Sequence, residues 1–308
     1  MPPWVIVGPG DDAAVLQPER GAFDVVTTDA LVDGAHFDLR FVPPDAVGYR
    51  ALAVNLSDLA AMGAQPRAAL LSLILPAALH VDTVDRILDG LLALAATPRV
   101  AIVGGNITRT SGPLALDVTA LGSVRPRRIL TRAGARPGDE VYVTGMLGDA
   151  AIGLRALAAS TGDAYPVAAA RYLRPEPRVR AGLLLGRTRA ASSCMDLSDG
   201  LADAVRQVAA ASEVGITLDR QAIPIGGDVR RWHEQEGGDP IETALAGGDD
   251  YELLFTTRPA HRGRARAAFK LMGDLPITRI GVVTRQRELV VRDEAGVHAL
   301  PAGYEHFR

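Results

Sequence analysis

Four stretches of this chain share one form: a strand-like apolar run, then Asp beside Gly, Ser or Thr, then often a helix. They read GPGDDAAVL, VVTTDALVDGAHF, SCMDLSDGLADAV and LAGGDDYELLF. A fifth aspartate, Asp58, falls inside the apparent helix YRALAVNLSDLAAMGA, with Val54, Leu56, Leu59 and Met62 as its neighbours. Each stretch by itself also reads as a turn or a helix N-cap. Carboxylates in apolar surroundings are unfavourable unless something cationic compensates them. A fold for this chain therefore has to bring positive charge to strand ends and helix starts.

The composition narrows the source of that charge. Of the 33 basic residues only Lys270 is a lysine. No lysine follows a glycine-rich loop, which removes the P-loop and the protein-kinase strand lysine. No His/Cys pairing suggests zinc. Oxygen-only ligands at strand ends are what a Mg²⁺ site uses, and the hydroxyls of Thr27, Thr28 and Ser198 add neutral oxygens. Mg²⁺ takes one or two carboxylates plus substrate phosphates, so this surplus of aspartates points to several ions around a polyphosphate. VGGNITRT (103–110) and VTGMLGDA (143–150) read as Gly-rich turns after strands, where backbone N–H groups can approach a phosphate. Arg132 reads either as an anion clamp or as a solvated loop arginine. The single cysteine, Cys194, reads as a small buried residue, with a nucleophile as the alternative.

At 308 residues with 48% hydrophobic content and net charge −3, the chain has room for two domains and lacks a nucleic-acid footprint. It has no run of about 18 uncharged apolar residues and no secretory leader pattern, so no membrane span is expected and the cytoplasm is the expected location. Strands are expected at 23–28, 69–75, 100–105, 114–124 and 139–145, with helices through 43–64 and 82–98 between them. The segment LTRAGARPGD (130–139) is the expected domain boundary, dividing the chain into 1–134 and 135–308. Beyond it lie helical stretches, one broken near Pro175, and closing strands in ITRIGVVT and ELVVRD. The fold class is α/β (α+β).

Taken in order, GDDAAVL, TTDALVDGAHF, AVNLSDLAAMGA, GGNITR, LTRAGARPGD, VTGMLGD, MDLSDGL, GGDDYELLF and GYEHF resemble the thiamine-monophosphate kinase family, within the superfamily of aminoimidazole-ribonucleotide synthetase. The resemblance implies a two-domain fold: an N-terminal sheet-plus-helices domain that binds ATP and Mg²⁺ and pairs into a homodimer, and a C-terminal α+β domain closing the cleft. It implies transfer of the γ-phosphoryl group of ATP to thiamine monophosphate. Asp12, Thr27, Thr28, Asp29, Asp58, Asn106, Asp196 and Asp199 fall at Mg²⁺ positions. Gly105, Asn106, Arg132 and Ser198 fall at ATP positions, and His36, Asp249 and Tyr304 at substrate positions. No catalytic base is implied, because the acceptor is already a phosphate oxygen.

Three departures accompany the resemblance. The family usually carries a further N-terminal segment before its first Gly-Asp-Asp; Asn106 stands where many relatives have Asp; and Asp249 stands where Glu is common. Other superfamily members are disfavoured because a reactive N-terminal cysteine and a C-terminal cysteine tail are both missing from this sequence. The alternatives are another ATP-using member of the superfamily and a non-catalytic Mg²⁺-nucleotide-binding protein. Read by itself, His36 between Ala35 and Phe37 suits a satisfied core histidine, and Tyr304 a packing aromatic.

Overall fold

The computed structural model describes residues 1–301. The chain divides into two compact units: Met1–Leu59 with Ala64–Pro126, and Ala60–Gly63 with the chain from Arg127 onward.

The first unit runs β1 (Val5–Val7), β2 (Val15–Leu16), β3 (Phe23–Val32), α1 (Pro44–Ala61), β4 (Gln65–Pro76), α2 (Val81–Ala96), β5 (Ala101–Thr110) and β6 (Ala115–Val124). Its four-stranded sheet has the order β3-β6-β4-β5. β4 and β5 are parallel and the other neighbours antiparallel; a parallel pair needs a long crossover, which α2 supplies. Along β6 the side chains alternate. Leu116, Val118 and Ala120 are buried, while Ala115, Asp117 and Thr119 are half exposed, so the sheet has one covered and one open face. α1 begins on Pro44 with Asp45 in its first turn, both favourable at a helix start. It buries Val47, Leu52, Leu56 and Leu59, while α2 buries Ile87 and Leu91; each such side chain contributes about 1.5–3 kcal/mol. The two helices cross in backbone contact at Gly48, where a Cβ would lie 1.7 Å from the Ile87 carbonyl oxygen. The β1–β2 hairpin packs Trp4, Val5 and Leu16 against Ala68, Ala101 and Val103, and Arg67 lies over the Trp4 ring at 4.4 Å.

The second unit continues with β7 (Glu140–Thr144), α3 (Asp149–Ala158), α4 (Pro166–Leu173), α5 (Val179–Thr188), β8 (Ser193–Asp196), α6 (Leu201–Ser212), β9 (Gly215–Asp219), α7 (Gly227–Glu236), α8 (Pro240–Ala246), β10 (Leu253–Thr257), α9 (Arg262–Met272), β11 (Ile277–Thr284), β12 (Leu289–Asp293) and β13 (Gly296–Ala299). Seven strands form one sheet in the order β13-β12-β9-β11-β7-β10-β8, antiparallel apart from the β9–β12 pair. Both faces are covered. Val141, Val143, Leu254 and Ile280 join a core with Leu201, Val205 and Val208 of α6. Cys194, Leu253 and Phe255 join another with Leu185 of α5 and Ala265, Ala268 and Met272 of α9, where Tyr142 stacks on Phe255 at 5.4 Å.

The helix break expected near Pro175 separates α4 from α5, and β11 occupies the ITRIGVVT stretch. Two expectations are corrected. VGGNITRT is not a turn after a strand but the body of β5, because its amides pair along β4 from Leu70 to Pro76. The strand read as ending at Thr28 runs on to Val32, so Asp29 lies within β3 and not behind it.

Candidate active site

In the first unit, alternation along β3 puts Thr27 and Asp29 on one face and Thr28 on the other. The Thr27 hydroxyl donates to Asp58 Oδ2 of α1, so the last turns of that helix meet the strand through a carboxylate. Burial, then the charge and hydrogen bond of Asp58 and the charge of Asp117, push the Asp29 carboxyl up to about 6. Asp29 and Asp58 thus meet on the covered face, where lost water and a like charge both oppose ionisation of Asp29, while Asp117 acts on it from the other face of the sheet.

Thr28 faces the other way, with its hydroxyl donating to Asp117 Oδ1 at 3.1 Å and lying 3.0 Å from the Thr119 hydroxyl. Cross-strand register places the remaining sheet residues. Asp29, Val118, Leu71 and Gly105 form one row, and Ala30, Asp117, Ser72 and Asn106 the next. At Gly105 a Cβ would sit 1.9 Å from the Leu71 carbonyl oxygen, so this position accepts no side chain without backbone movement. Asp117 was not singled out from the sequence; an acid in the otherwise apolar strand run LALDVTALG was the available signal. Asp12 lies in the exposed turn of the β1–β2 hairpin, its N–H donating to Asp11 Oδ1 at 2.8 Å. His36 is exposed beyond the end of β3, its Nδ1 accepting from the Val32 N–H at 3.2 Å, which replaces the core-histidine reading.

In the second unit two loops are laced together by backbone hydrogen bonds. β8 ends on Asp196 and the loop after it carries Ser198 and Asp199; the loop before β10 carries Asp249. The Asp249 N–H donates to the Ser198 carbonyl at 2.7 Å, the Tyr251 N–H to the Leu197 carbonyl at 2.9 Å, and the Leu197 N–H to the Glu252 carbonyl at 2.9 Å. Asp196 is buried, and Ser198, Asp199 and Asp249 are half buried. Asp250 accepts from Gly148 N–H at 2.8 Å and Ala150 N–H at 3.4 Å, satisfying the start of α3, while burial pushes its carboxyl well above the usual range. Glu252 accepts from Arg178 Nε and from the Thr144 hydroxyl, each at 2.6 Å, and both members of the ion pair are buried. Sequence reasoning missed this pair, whose members stand 74 residues apart in RPEPR and DDYE.

Arg132 is exposed and donates through Nη1 to Gln207 of α6. Cys194 is buried, and burial holds its thiol far above the ordinary thiol range, so it is the small core residue and not a nucleophile. Tyr304 lies outside the described residues. Among the described residues no three His, Cys, Asp or Glu side chains form a ready metal cage. The donor set nevertheless fits Mg²⁺. It consists of hard oxygens only, carboxylate, hydroxyl and the Asn106 amide, and Mg²⁺ leaves most of its positions to water and phosphate.

Residues 10–124 match the model of the AIR synthase related protein, N-terminal domain, and residues 136–294 that of the C-terminal domain. The chain is 40% identical to the thiamine-monophosphate kinase of Escherichia coli (strain K12) over 314 residues, covering 98% of this chain and 92% of that protein. The crystal structure of thiamine-monophosphate kinase from Stenotrophomonas maltophilia K279a superposes with a TM-score of 0.86 at 39% identity, over 96% of this chain and 93% of that one. A structure of AaThiL complexed with AMPPCP and TMP superposes with a TM-score of 0.84 at 34% identity, over 97% and 91% of the two chains. The two matched halves define an AIR synthase related protein. Within that class the chain belongs to the thiamine-monophosphate kinase family.

Proposed function

We propose that this kinase transfers the γ-phosphoryl group of ATP directly, in line, to the phosphate of thiamine monophosphate, releasing thiamine diphosphate and ADP, at a site holding several Mg²⁺ ions. The observation that carries the reading is the meeting of Asp29 of β3 with Thr27 and Asp58 on the covered face, where burial first and the Asp58 and Asp117 charges after it raise Asp29 to about 6 and a cation would offset them. The AaThiL complex with AMPPCP and TMP supports the substrate pair. Asp12, Thr27, Thr28, Asp29, Asp58, Asn106, Asp196 and Asp199 would hold the ions. Bound Mg²⁺ would neutralise the anionic oxygens of donor and acceptor.

The chain's own residues then serve alignment. Gly105 lets the ligand approach the β5 backbone, and Asn106 offers an uncharged oxygen and two N–H donors beside it. Arg132 supplies a guanidinium able to grip a phosphate with two parallel hydrogen bonds, and Ser198 adds a hydroxyl. His36, Asp249 and Tyr304 orient thiamine monophosphate. A phosphate acceptor needs no deprotonation by a protein base, so the rate enhancement comes from positioning and charge neutralisation.

Residues 1–134 are taken as the ATP-, Mg²⁺-binding and dimerisation domain and 135–308 as the α+β domain, in a cytoplasmic enzyme. A homodimer through the open face of the β3-β6-β4-β5 sheet is supported by the apolar surface there, with Val26 62% and Leu70 37% exposed. No helix among the described residues is long and apolar enough to cross a membrane. The test is formation of thiamine diphosphate from ATP, Mg²⁺ and thiamine monophosphate, beside the Asp58→Asn variant. Product from the wild type and its loss in the variant are expected. A wild type that binds Mg²⁺-ATP yet makes no thiamine diphosphate would overturn the reading.

A further inference from the structure

We propose that Tyr251 is a positioning residue for Asp249, holding its carboxylate where it meets thiamine monophosphate; this rests on the substrate assignment above. The loop before β10 has an unusual backbone. Asp249 and Tyr251 both have positive φ, 67° and 49°, a conformation that costs non-glycine residues of order 1–3 kcal/mol and survives only where the surroundings impose it. For the bulky Tyr251 it is a genuine outlier.

Here the surroundings do impose it. The alternate residues of the loop are anchored inward, Asp250 on the first N–H groups of α3 and Glu252 on Arg178 and Thr144. The N–H groups of Asp249 and Tyr251 are themselves tied to the Ser198 and Leu197 carbonyls. With the backbone pinned on both sides, the two left-handed residues bring their side chains together, and the Tyr251 hydroxyl donates to Asp249 Oδ1 at 3.0 Å. The tyrosine is buried, 7% exposed, so packing fixes its ring; Asp249 is half buried. A fixed phenol on one carboxylate oxygen sets the plane of the whole group. The carboxylate keeps further acceptor capacity for an amine or the positive ring of the thiamine moiety.

The test is a double-mutant cycle of Tyr251→Phe and Asp249→Gly, with KM for thiamine monophosphate, KM for ATP, kcat and melting temperature measured for each protein. Phe keeps the ring, and Gly keeps the left-handed backbone without strain. Loss of a hydrogen bond to a charged group predicts that Tyr251→Phe raises KM for thiamine monophosphate about tenfold or more, with KM for ATP and kcat within about twofold. In the Asp249→Gly background the same change should move that KM less than about twofold. An unchanged KM in Tyr251→Phe while Asp249→Gly raises it would overturn the inference alone. So would an effect of Tyr251→Phe that persists without Asp249, or one that raises both KM values together with a falling melting temperature. A wild type without thiamine diphosphate formation, or an Asp249→Gly protein with unaltered KM, removes the substrate assignment itself and this inference with it.

Discussion

The two units treat the same kind of motif differently. In the first, the Asp29 carboxyl of the TTDALVDG motif is raised by burial and by its neighbours Asp58 and Asp117, which are like charges. In the second, the GGDDYE motif buries two acids and gives each internal partners, Glu252 the Arg178 guanidinium and Thr144, and Asp250 two helix N–H groups that only partly offset its burial. An aspartate-rich motif can thus be scaffold or site, and the two are told apart by whether the fold supplies the counter-charge. Where it does, the acid holds backbone in place. Where, as at Asp29, burial and neighbouring acids act with no basic partner, the carboxyl is one that a cation would offset.

Changes that break this contrast should act on different observables. Asp58→Asn carries the largest expected effect on chemistry, a fall in thiamine diphosphate formation of about a hundredfold or more. Melting of the Mg²⁺-free protein should be unchanged or higher, since a like-charge contact is relieved; a large loss of stability would show that Asp58 is scaffold after all. Arg178→Met carries the largest effect on stability. It strands Glu252 in the interior and should cost about 3–5 kcal/mol by denaturant unfolding, with most of that loss recovered in Arg178→Met/Glu252→Gln.

Asp149 sharpens the comparison, because like Asp250 it belongs to the second unit and is raised, here to about 6, by burial first, with Arg171 opposing and Asp228 and Glu252 adding to the shift. Its raised value means that the folded state holds the proton more tightly than the unfolded chain. The associated stability is full below the usual value of 3.8 and is lost as pH rises to about 6. Asp149→Asn should therefore flatten the stability profile between those limits and raise stability at pH 7 by about 3 kcal/mol at most, read from unfolding at several pH values. The smallest effect is expected for Cys194→Ala: about 1 kcal/mol of stability, unchanged turnover, and a native thiol that resists alkylation.

How far the sequence reached depended on whether a signal was local. The α4–α5 break follows from Pro175 within a few residues, and β11 from one Val/Ile run bounded by turn formers. Asp29 and Asp58 were legible because an acid stands out in apolar surroundings. Asp117 was not weighed, since it alternates with Leu116 and Val118 and becomes significant only through its pairing with β3. β5 was cut short at its glycines, which break a single-strand pattern but are tolerated where β4 supplies a partner. The Arg178–Glu252 pair, 74 residues apart, has no local signal at all. Nor do the left-handed conformations of Asp249 and Tyr251, which tertiary anchoring imposes against propensity.

One feature of the larger sheet bears on how the protein is made. β10 lies between β7 and β8 in space but is synthesised after both, and β8 ends the strand order with β10 as its neighbour. A chain emerging from the ribosome has completed the Asp196 strand long before Leu253–Thr257 appears. Until then that strand has no ladder to join, and the loop carrying Ser198 and Asp199 lacks the amides that pin it. Such non-local pairing is slow and leaves strand edges open in the meantime. The loop carrying Ser198 and Asp199 is therefore pinned late, and a nascent chain stalled short of β10 would hold nearly all the aspartates singled out above without the pairing that fixes that loop.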